Sequence, residues 1–278
     1  KLMGTLAWMK DQLDYYDPQI RLTSPSAINT QFAKAEAKKI SGNWTWNFGF
    51  EARKHRAQAF GYSENSVQQN YKALFSEISF GVGNWRWIAS ARKAHFNNSW
   101  IPLIPRLKAV YKKEKHMLYA SFSGHYRIPS LNELYWRPGG NRDLIPEQGW
   151  SAEMGGETVL LAKGKWHSAF KVSGFYRQLD NWLQWTLPEG ENLFQARNID
   201  EIIGWGLESN WKGRYVGEKC TVELNVSYTK VRSFSRQELA IPKRASGQQL
   251  HYIPEHRGIA VLDLSLHNWR LAYTHQYQ

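Results

Sequence analysis

Residues 221–229 read TVELNVSYT: Val222, Leu224, Val226 and Tyr228 alternate with Glu223, Asn225, Ser227 and Thr229. In an extended chain successive side chains point to opposite faces, so this period of two makes one face apolar and the other polar. The pattern recurs in 117–127. There Leu118, Ala120, Phe122, Gly124 and Tyr126 oppose Tyr119, Ser121, Ser123, His125 and Arg127. In 46–53, Trp46, Phe48, Phe50 and Ala52 oppose Asn47, Gly49, Glu51 and Arg53. Helical periodicity and N-cap signals before apolar runs are not found, so the chain reads as all-β. About thirteen such segments are expected, at 4–15, 31–40, 44–57, 71–81, 85–96, 105–112, 116–127, 149–161, 165–178, 198–211, 219–232, 256–266 and 269–278. Many exceed the five or six residues usual for soluble strands. Tilted strands of about 9–11 residues are what a bilayer requires of a barrel.

The connections carry a second signal. Brief links at 41–43, 82–84, 113–115, 162–164 and 267–268, and a longer one at 212–218, alternate with long loops at 16–30, 58–70, 97–104, 128–148, 179–197 and 233–255. In an up-and-down meander this gathers every long loop at one end and every short turn at the other. Outer-membrane barrels have that asymmetry. A soluble sandwich has no physical reason to keep it over so many strands.

Composition separates a membrane wall from a soluble core. The polar face is largely Ser, Thr, Asn, Gln and Gly, which suits a hydrated lumen, and the outward face carries small residues (Ala89, Ala91, Ala120, Ala152, Gly124) that a packed core would waste. The chain holds 14 Trp, many at segment ends: Trp44, Trp46, Trp85, Trp87, Trp166, Trp182, Trp185, Trp211 and Trp269. Rings with one wet edge suit the girdles at both bilayer interfaces. A soluble carbohydrate-binding propeller would repeat every 40–50 residues or so, and no such repeat is found. The net charge of +12 is spread along the chain with small groups at 38–39, 53–56 and 112–115. With no docking element for nucleic acid, none is expected as a partner; outer-membrane lipid and lipopolysaccharide headgroups are the expected anions.

A single cysteine, Cys220, rules out an intrachain disulfide and a cysteine-based zinc site. No run approaches 18 apolar residues, so no membrane-spanning helix is expected. Nucleotide-binding, nucleophile-elbow, zinc-protease and EF-hand motifs are not found, and the nine histidines are dispersed without ligand spacing. No catalytic residue, metal or cofactor is therefore expected. Asp143 and Glu147, an acid pair on paper, are expected to be turn and solvation residues. The opening KLMGTLAWMK lies inside a patterned segment and shows no signal peptide, as in a piece of a longer chain.

Residues 126–155 sharpen this reading. Tyr126-Arg127-Ile128-Pro129-Ser130, then Glu133-Leu134-Tyr135, then Gly140-Asn141-Arg142-Asp143-Leu144-Ile145-Pro146-Glu147 and Glu153-Met154-Gly155 follow one another in order. The series resembles TonB-dependent outer-membrane receptors, with Arg127, Pro129, Asn141, Leu144, Pro146 and Glu147 on the positions of the family motif. Phe175-Tyr176-Arg177 with Asp180-Asn181-Trp182, Ala196-Arg197-Asn198, Gly206-Leu207-Glu208 and Tyr252-Ile253-Pro254-Glu255-His256 resemble its later strands. The resemblance covers about residues 119–278. The Tyr-Trp and Gly-Gly-Asn variant in 135–141 is similar to the cobalamin-receptor-like branch, and no His lies between Arg127 and Asn141, which argues against haem.

The resemblance implies an antiparallel up-and-down transmembrane β-barrel of about 22 strands, in the outer membrane of a Gram-negative bacterium. Residues 1–278 would be an incomplete section of about 13 strands, lacking the plug domain and the terminal strands, and ending at THQYQ without a closing aromatic. On its own such a section is not expected to insert as a working receptor. The resemblance further implies no enzyme but uptake of a scarce ligand (siderophore, cobalamin, haem or glycan), energised by the TonB complex through the plug. Candidate ligand-binding residues on the long loops are Tyr135, Trp136, Arg137, Arg142, Trp182 and Trp185, with Arg236 as a further one. A passive porin or adhesin-like barrel and a soluble all-β carbohydrate-binding protein are the alternatives.

Overall fold

A computed structural model describes residues 1–18, 22–188, 190–236, 245–250 and 253–278. Tyr252, part of one motif above, lies outside the described residues. The strands are β1 (Leu2–Asp17), β2 (Leu22–Ser41), β3 (Trp44–Ala59), β4 (Val67–Val82), β5 (Trp85–Phe96), β6 (Ser99–Trp100) and β7 (Ile104–Lys113). They continue with β8 (His116–Arg127), β9 (Glu147–Lys163), β10 (Trp166–Thr186), β11 (Gln195–Val216), β12 (Cys220–Ser235), β13 (His256–Leu266) and β14 (Trp269–Tyr277). All belong to one sheet in which each long strand pairs antiparallel with its neighbours in sequence, while two-residue β6 pairs β5 alone. The sheet is open, a partial barrel with β1 and β14 at its edges.

The thirteen long strands match the thirteen alternating segments, but their loop ends run further. Residues 16–30, expected to be a loop, are mostly strand: β1 and β2 stay paired up to Asp17 and Leu22. Likewise β10 and β11 remain paired from Asp180↔Glu201 to Thr186↔Gln195 inside the expected loop 179–197. Beyond the bilayer both faces of a strand are wet, so a polar run such as LTSPSAINT can pair without an apolar face. At the other end the hairpins close tightly. Gly42, Gly83 and Gly164 open two-residue turns with φ of +54°, +54° and +57°. A left-handed residue there matches the strand twist, and glycine adopts it without steric cost.

Register assigns the faces. Phe50, Leu74 and Lys93 stand side by side across β3, β4 and β5, and so do Glu51, Ala73 and Ala94 on the other face. The first face carries large exposed apolar side chains, with Phe48 56%, Leu74 52% and Leu107 56% exposed. The second holds buried Glu51 and Ala73. An apolar face left open over so many strands is a lipid-facing wall. Near the short turns its rings stack: Trp44 on Phe80 at 4.3 Å, Trp85 on Trp87 at 5.5 Å and Trp166 beside Tyr215 at 4.7 Å. This is one girdle. Trp182 and Trp185 are not in it. They pack in apolar clusters among the loop ends, because β10 rises past the interface before placing them.

One further element escaped the sequence reading. Helix α1 (Leu131–Tyr135) begins with a capping box: Glu133 N–H donates to Ser130 Oγ at 3.2 Å and Ser130 N–H donates to Glu133 Oε2 at 2.7 Å. Five residues are too few to show a helical period. The Ser-x-x-Glu spacing was nevertheless readable.

Candidate functional site

Arg127 ends β8 and Glu147 begins β9, and the two are direct partners across the ladder. Between them lies the connection 128–148. Arg127 Nε and Nη2 donate to the two carboxylate oxygens of Glu147, both at 2.8 Å, a bidentate pair. Nη1 donates to both oxygens of Glu133 in α1, at 3.1 and 3.2 Å, and Nη2 reaches the Leu183 carbonyl at 3.3 Å. Leu183 N–H in turn donates to Glu147 Oε1 at 2.7 Å. One guanidinium thus fastens both strand ends, the helix and strand β10. Glu147 is therefore not the solvated strand-leading residue expected from the sequence. It is buried and saturated, because a carboxylate facing Arg127 across the ladder is worth more paired than wet. Asp143 stays exposed, its N–H bound to Asn141 Oδ1 at 2.9 Å, and the two carboxylates form no acid pair.

The loop above the knot is tied down on both sides. Toward the β3–β4 loop, Ser63 N–H donates to the Tyr135 carbonyl at 2.8 Å and Arg137 N–H to the Gly61 carbonyl at 2.6 Å. Tyr62 Oη donates to Asn132 Oδ1 at 2.7 Å. Toward β10 and β11, Ala196 N–H donates to the Gly139 carbonyl at 2.8 Å. Asn198 grips Ile145 at both backbone groups, 3.0 and 2.8 Å, and the Asn181 carbonyl at 2.7 Å. Beneath, Leu134, Leu144, Leu183 and Ala196 bury together against Tyr135 and Trp185. Gly139 has φ +106°, and a Cβ there would lie 2.0 Å from the Phe194 carbonyl oxygen. No other residue fits that approach.

Of the seven candidate ligand-binding residues, four lie on this loop, Trp185 packs against it, and Trp182 and Arg236 stand apart. Tyr135 lies half-buried with the Arg142 guanidinium 5.4 Å from its ring centre, and Arg142 Nη1 pairs with Glu64 at 2.8 Å. Trp136 is 37% exposed and packs over Gly61. Arg137 is exposed on top. Trp185 flanks the cluster below Gly139, while Trp182 packs apart with Ile199, Ile202 and Leu250. Arg236 pairs with Glu201 at 3.1 Å, away from the loop. Of the family-motif positions, Arg127 and Glu147 form the knot and Leu144 the apolar floor. The Pro129 carbonyl accepts from Gln69 at 3.2 Å, Asn141 N–H donates to the Glu133 carbonyl at 2.8 Å, and Pro146 leads into β9. Sequence reasoning quoted Glu133 and Asn198 within family-like runs without singling them out as site residues, and it missed Tyr62. Glu133 had its capping-box spacing, and Asn198 sat in a family-like triplet; Tyr62 had no signal.

The lumen wall is polar, and part of its charge is paired. Arg53 and Arg92 both reach Glu51, at 2.9 and 3.4 Å, and Lys34 pairs with Glu36 at 2.8 Å. Among the described residues no three His, Cys, Asp or Glu side chains gather as a metal site.

An antiparallel wall with lipid-facing rings, a polar lumen and its long loops at one end is the wall of an outer-membrane barrel. Residues 5–278 match the family model described as TonB dependent receptor-like, beta-barrel. The chain belongs to that family, whose members are outer-membrane β-barrels of Gram-negative bacteria. A relative, the vitamin B12 transporter BtuB of Photobacterium profundum, is 20% identical over 222 residues, covering 70% of this chain and 35% of its own length. Among solved structures, the siderophore receptor PirA from Pseudomonas aeruginosa superposes with a TM-score of 0.71 at 15% identity, over 99% of this chain and 50% of that one. The Serratia marcescens hemophore receptor HasR, in complex with its hemophore HasA and heme, gives 0.72 at 14% identity, over 99% and 56%. The chain thus spans about half the length of these structures, or less for BtuB. The relatives named are transporters and receptors.

Proposed function

We propose that this barrel wall belongs to a TonB-dependent transporter that captures a scarce ligand at its loop end and admits it with energy from the TonB complex, through a plug domain. The observation that carries this is the fastened loop 128–148. It presents Trp136, Arg137 and Arg142 on a base fixed by the Arg127–Glu147 pair, where a passive pore would need no such platform. Ring faces beside exposed guanidinium groups suit a bulky, anionic ligand with planar parts. Siderophores, cobalamin, haem and glycans are the classes in question, with Tyr135, Trp182 and Trp185 as flanking contacts. The setting is the outer membrane, with its lipid and lipopolysaccharide against the apolar face. Ligand uptake by cells carrying the full-length receptor should stop when TonB is deleted. Arg137→Ala with Arg142→Ala should weaken ligand binding about tenfold or more without loss of receptor from the membrane. Uptake that persists without TonB would make the protein a passive barrel instead.

A further inference from the structure

Glu64 lies outside the residues that the sequence singles out, yet it reaches the exposed top of loop 128–148. The β3–β4 connection leans on that loop through three neutral hydrogen bonds. Arg137 N–H donates to the Gly61 carbonyl at 2.6 Å, Ser63 N–H to the Tyr135 carbonyl at 2.8 Å, and Tyr62 Oη to Asn132 Oδ1 at 2.7 Å. The Tyr62 ring also meets the Trp136 ring edge-on, with centroids 6.4 Å apart. Glu64 follows directly on Ser63, and its Oε1 lies 2.8 Å from Arg142 Nη1. The same guanidinium stands 5.4 Å from the centre of the Tyr135 ring. Neutral bonds already hold the connection in place, so the Glu64 charge is not needed to fasten it.

Exposure gives that charge another use. The Arg142 and Glu64 side chains are 64% and 42% exposed, and an ion pair so wet contributes little and exchanges readily. The Arg127–Glu147 pair is the opposite case, with two aligned hydrogen bonds at 2.8 Å and a buried carboxylate. One loop thus carries a fixed guanidinium and an exchangeable one. Arg137, also exposed on this loop, has no ion pair among the described residues.

We infer that Glu64 is a built-in competitor for the acid group of the ligand and so determines specificity. In the empty receptor it occupies Arg142, and a ligand gains that guanidinium only by presenting a pair of anionic oxygens that displaces it. Phosphate, carboxylate and catecholate groups have this chemistry. Two oxygens take the guanidinium as a fork, a stronger contact than the one replaced. The displaced carboxylate, already half in water, turns to solvent at little cost. Its charge still repels the newcomer, so weakly anionic ligands are turned away. This deepens, and rests on, the reading of loop 128–148 as the capture platform.

The test uses full-length receptor extracted from outer membranes, with inorganic pyrophosphate as the probe anion. Labelling by p-hydroxyphenylglyoxal, which modifies unshielded guanidinium groups, is read at Arg142 and Arg137 by peptide mass spectrometry. An exposed ion pair corresponds to about two- to fivefold in an exchange equilibrium. In Glu64→Gln, Arg142 should label faster by about that factor, and pyrophosphate should protect it at a concentration lower by about the same factor. The labelling rate of Arg137 should not change, and Glu64→Asp should lie between wild type and Glu64→Gln at Arg142. Unchanged labelling and protection at Arg142 overturns the competitor role. Weaker protection by pyrophosphate overturns it too, because Glu64 would then assist the anion. Equal rises at Arg137 and Arg142 would mark Glu64 as a structural brace and overturn it as well. Failure of the platform reading looks different. Uptake that persists without TonB refutes that reading with the exchange at Arg142 intact, whereas TonB-dependent uptake with unchanged labelling refutes the role of Glu64 alone.

Discussion

Replacing Glu147 by Ala should release the loop 128–148 while leaving the barrel intact. The carboxylate accepts three hydrogen bonds, two from Arg127 at 2.8 Å and one from Leu183 N–H at 2.7 Å. Its loss orphans the buried Leu183 N–H, at a cost of about 1–3 kcal/mol. The Arg127 share is smaller than for a fully buried pair. Its side chain is 44% exposed, and it keeps Glu133 at 3.1 Å, so water and the second carboxylate compensate. Solvent screening puts that share at about 1 kcal/mol. Together they give roughly 2–4 kcal/mol of local stability, or about 30- to 900-fold in the opening equilibrium.

Hydrogen exchange by mass spectrometry on the purified receptor reads this directly. Amides of Glu133, Leu134, Trp136, Asn141 and Leu183 should lose about that much protection in Glu147→Ala, while those of β9 near its short turn keep theirs. Glu147→Gln retains an oxygen for Leu183 but not the charge, and should lie between. Protection unchanged within threefold or so would refute the reasoning, since the knot would then hold nothing. A uniform loss over all strands would refute it differently, by making the knot part of the barrel's global stability.

Gly139→Ala should also loosen the loop, because its Cβ would lie 2.0 Å from the Phe194 carbonyl oxygen and break the Ala196 N–H to Gly139 bond; faster limited proteolysis near 187–194 is the measurement. Phe48→Arg, on the lipid face, should lower refolding stability by about 2–4 kcal/mol in a bilayer, and Asn47→Arg, one residue away on the lumen face, by much less; equal effects in a denaturant titration would contradict the face assignment. Burial raises the Tyr62 pKa above its ordinary value. The contact it makes with Asn132 as a neutral phenol should therefore persist through the normal tyrosine range and fail only as pH rises past the raised value. A tyrosinate titration of wild type against Tyr62→Phe checks the sign: a missing late step would count against it.

Strand positions were legible because bilayer and lumen impose a two-residue period that local sequence cannot hide: Phe48, Phe50 and Ala52 against Gly49, Glu51 and Arg53 could be placed without a partner. The loop ends were not. Past the bilayer the period lapses, so 22–30 and 180–186 looked like loop although backbone pairing continues. The site was half legible. Arg127 and Glu147 stood out as motif positions, but what Glu147 binds depends on Leu183, 36 residues away, and on Glu133 in a helix too short to show a period. Trp182 and Trp185 illustrate the same limit. A tryptophan near a strand end suits a girdle or a packed loop equally, and only the register of β10 with β11 separates the two.

The ties of loop 128–148 bear on how such a barrel would bind. The loop starts and ends on neighbouring strands, yet Tyr135 and Arg137 bond to residues 61–63, beyond β5 and β7, and Gly139 and Ile145 bond on the opposite side to residues 196–198. It therefore braces three hairpins over the mouth. A free connection of this length would lose much conformational entropy on meeting a ligand. Here that cost is already met in folding, by the Arg127 knot and the backbone bonds on either side. Contacts to Arg137 and Arg142 would then add to affinity with little offset. The same bracing resists any passage that needs the loop to swing, because moving it would break those bonds together. A ligand held at Trp136 and Arg137 would have to leave into the lumen past a standing loop, so the space for its passage must come from elsewhere than 128–148.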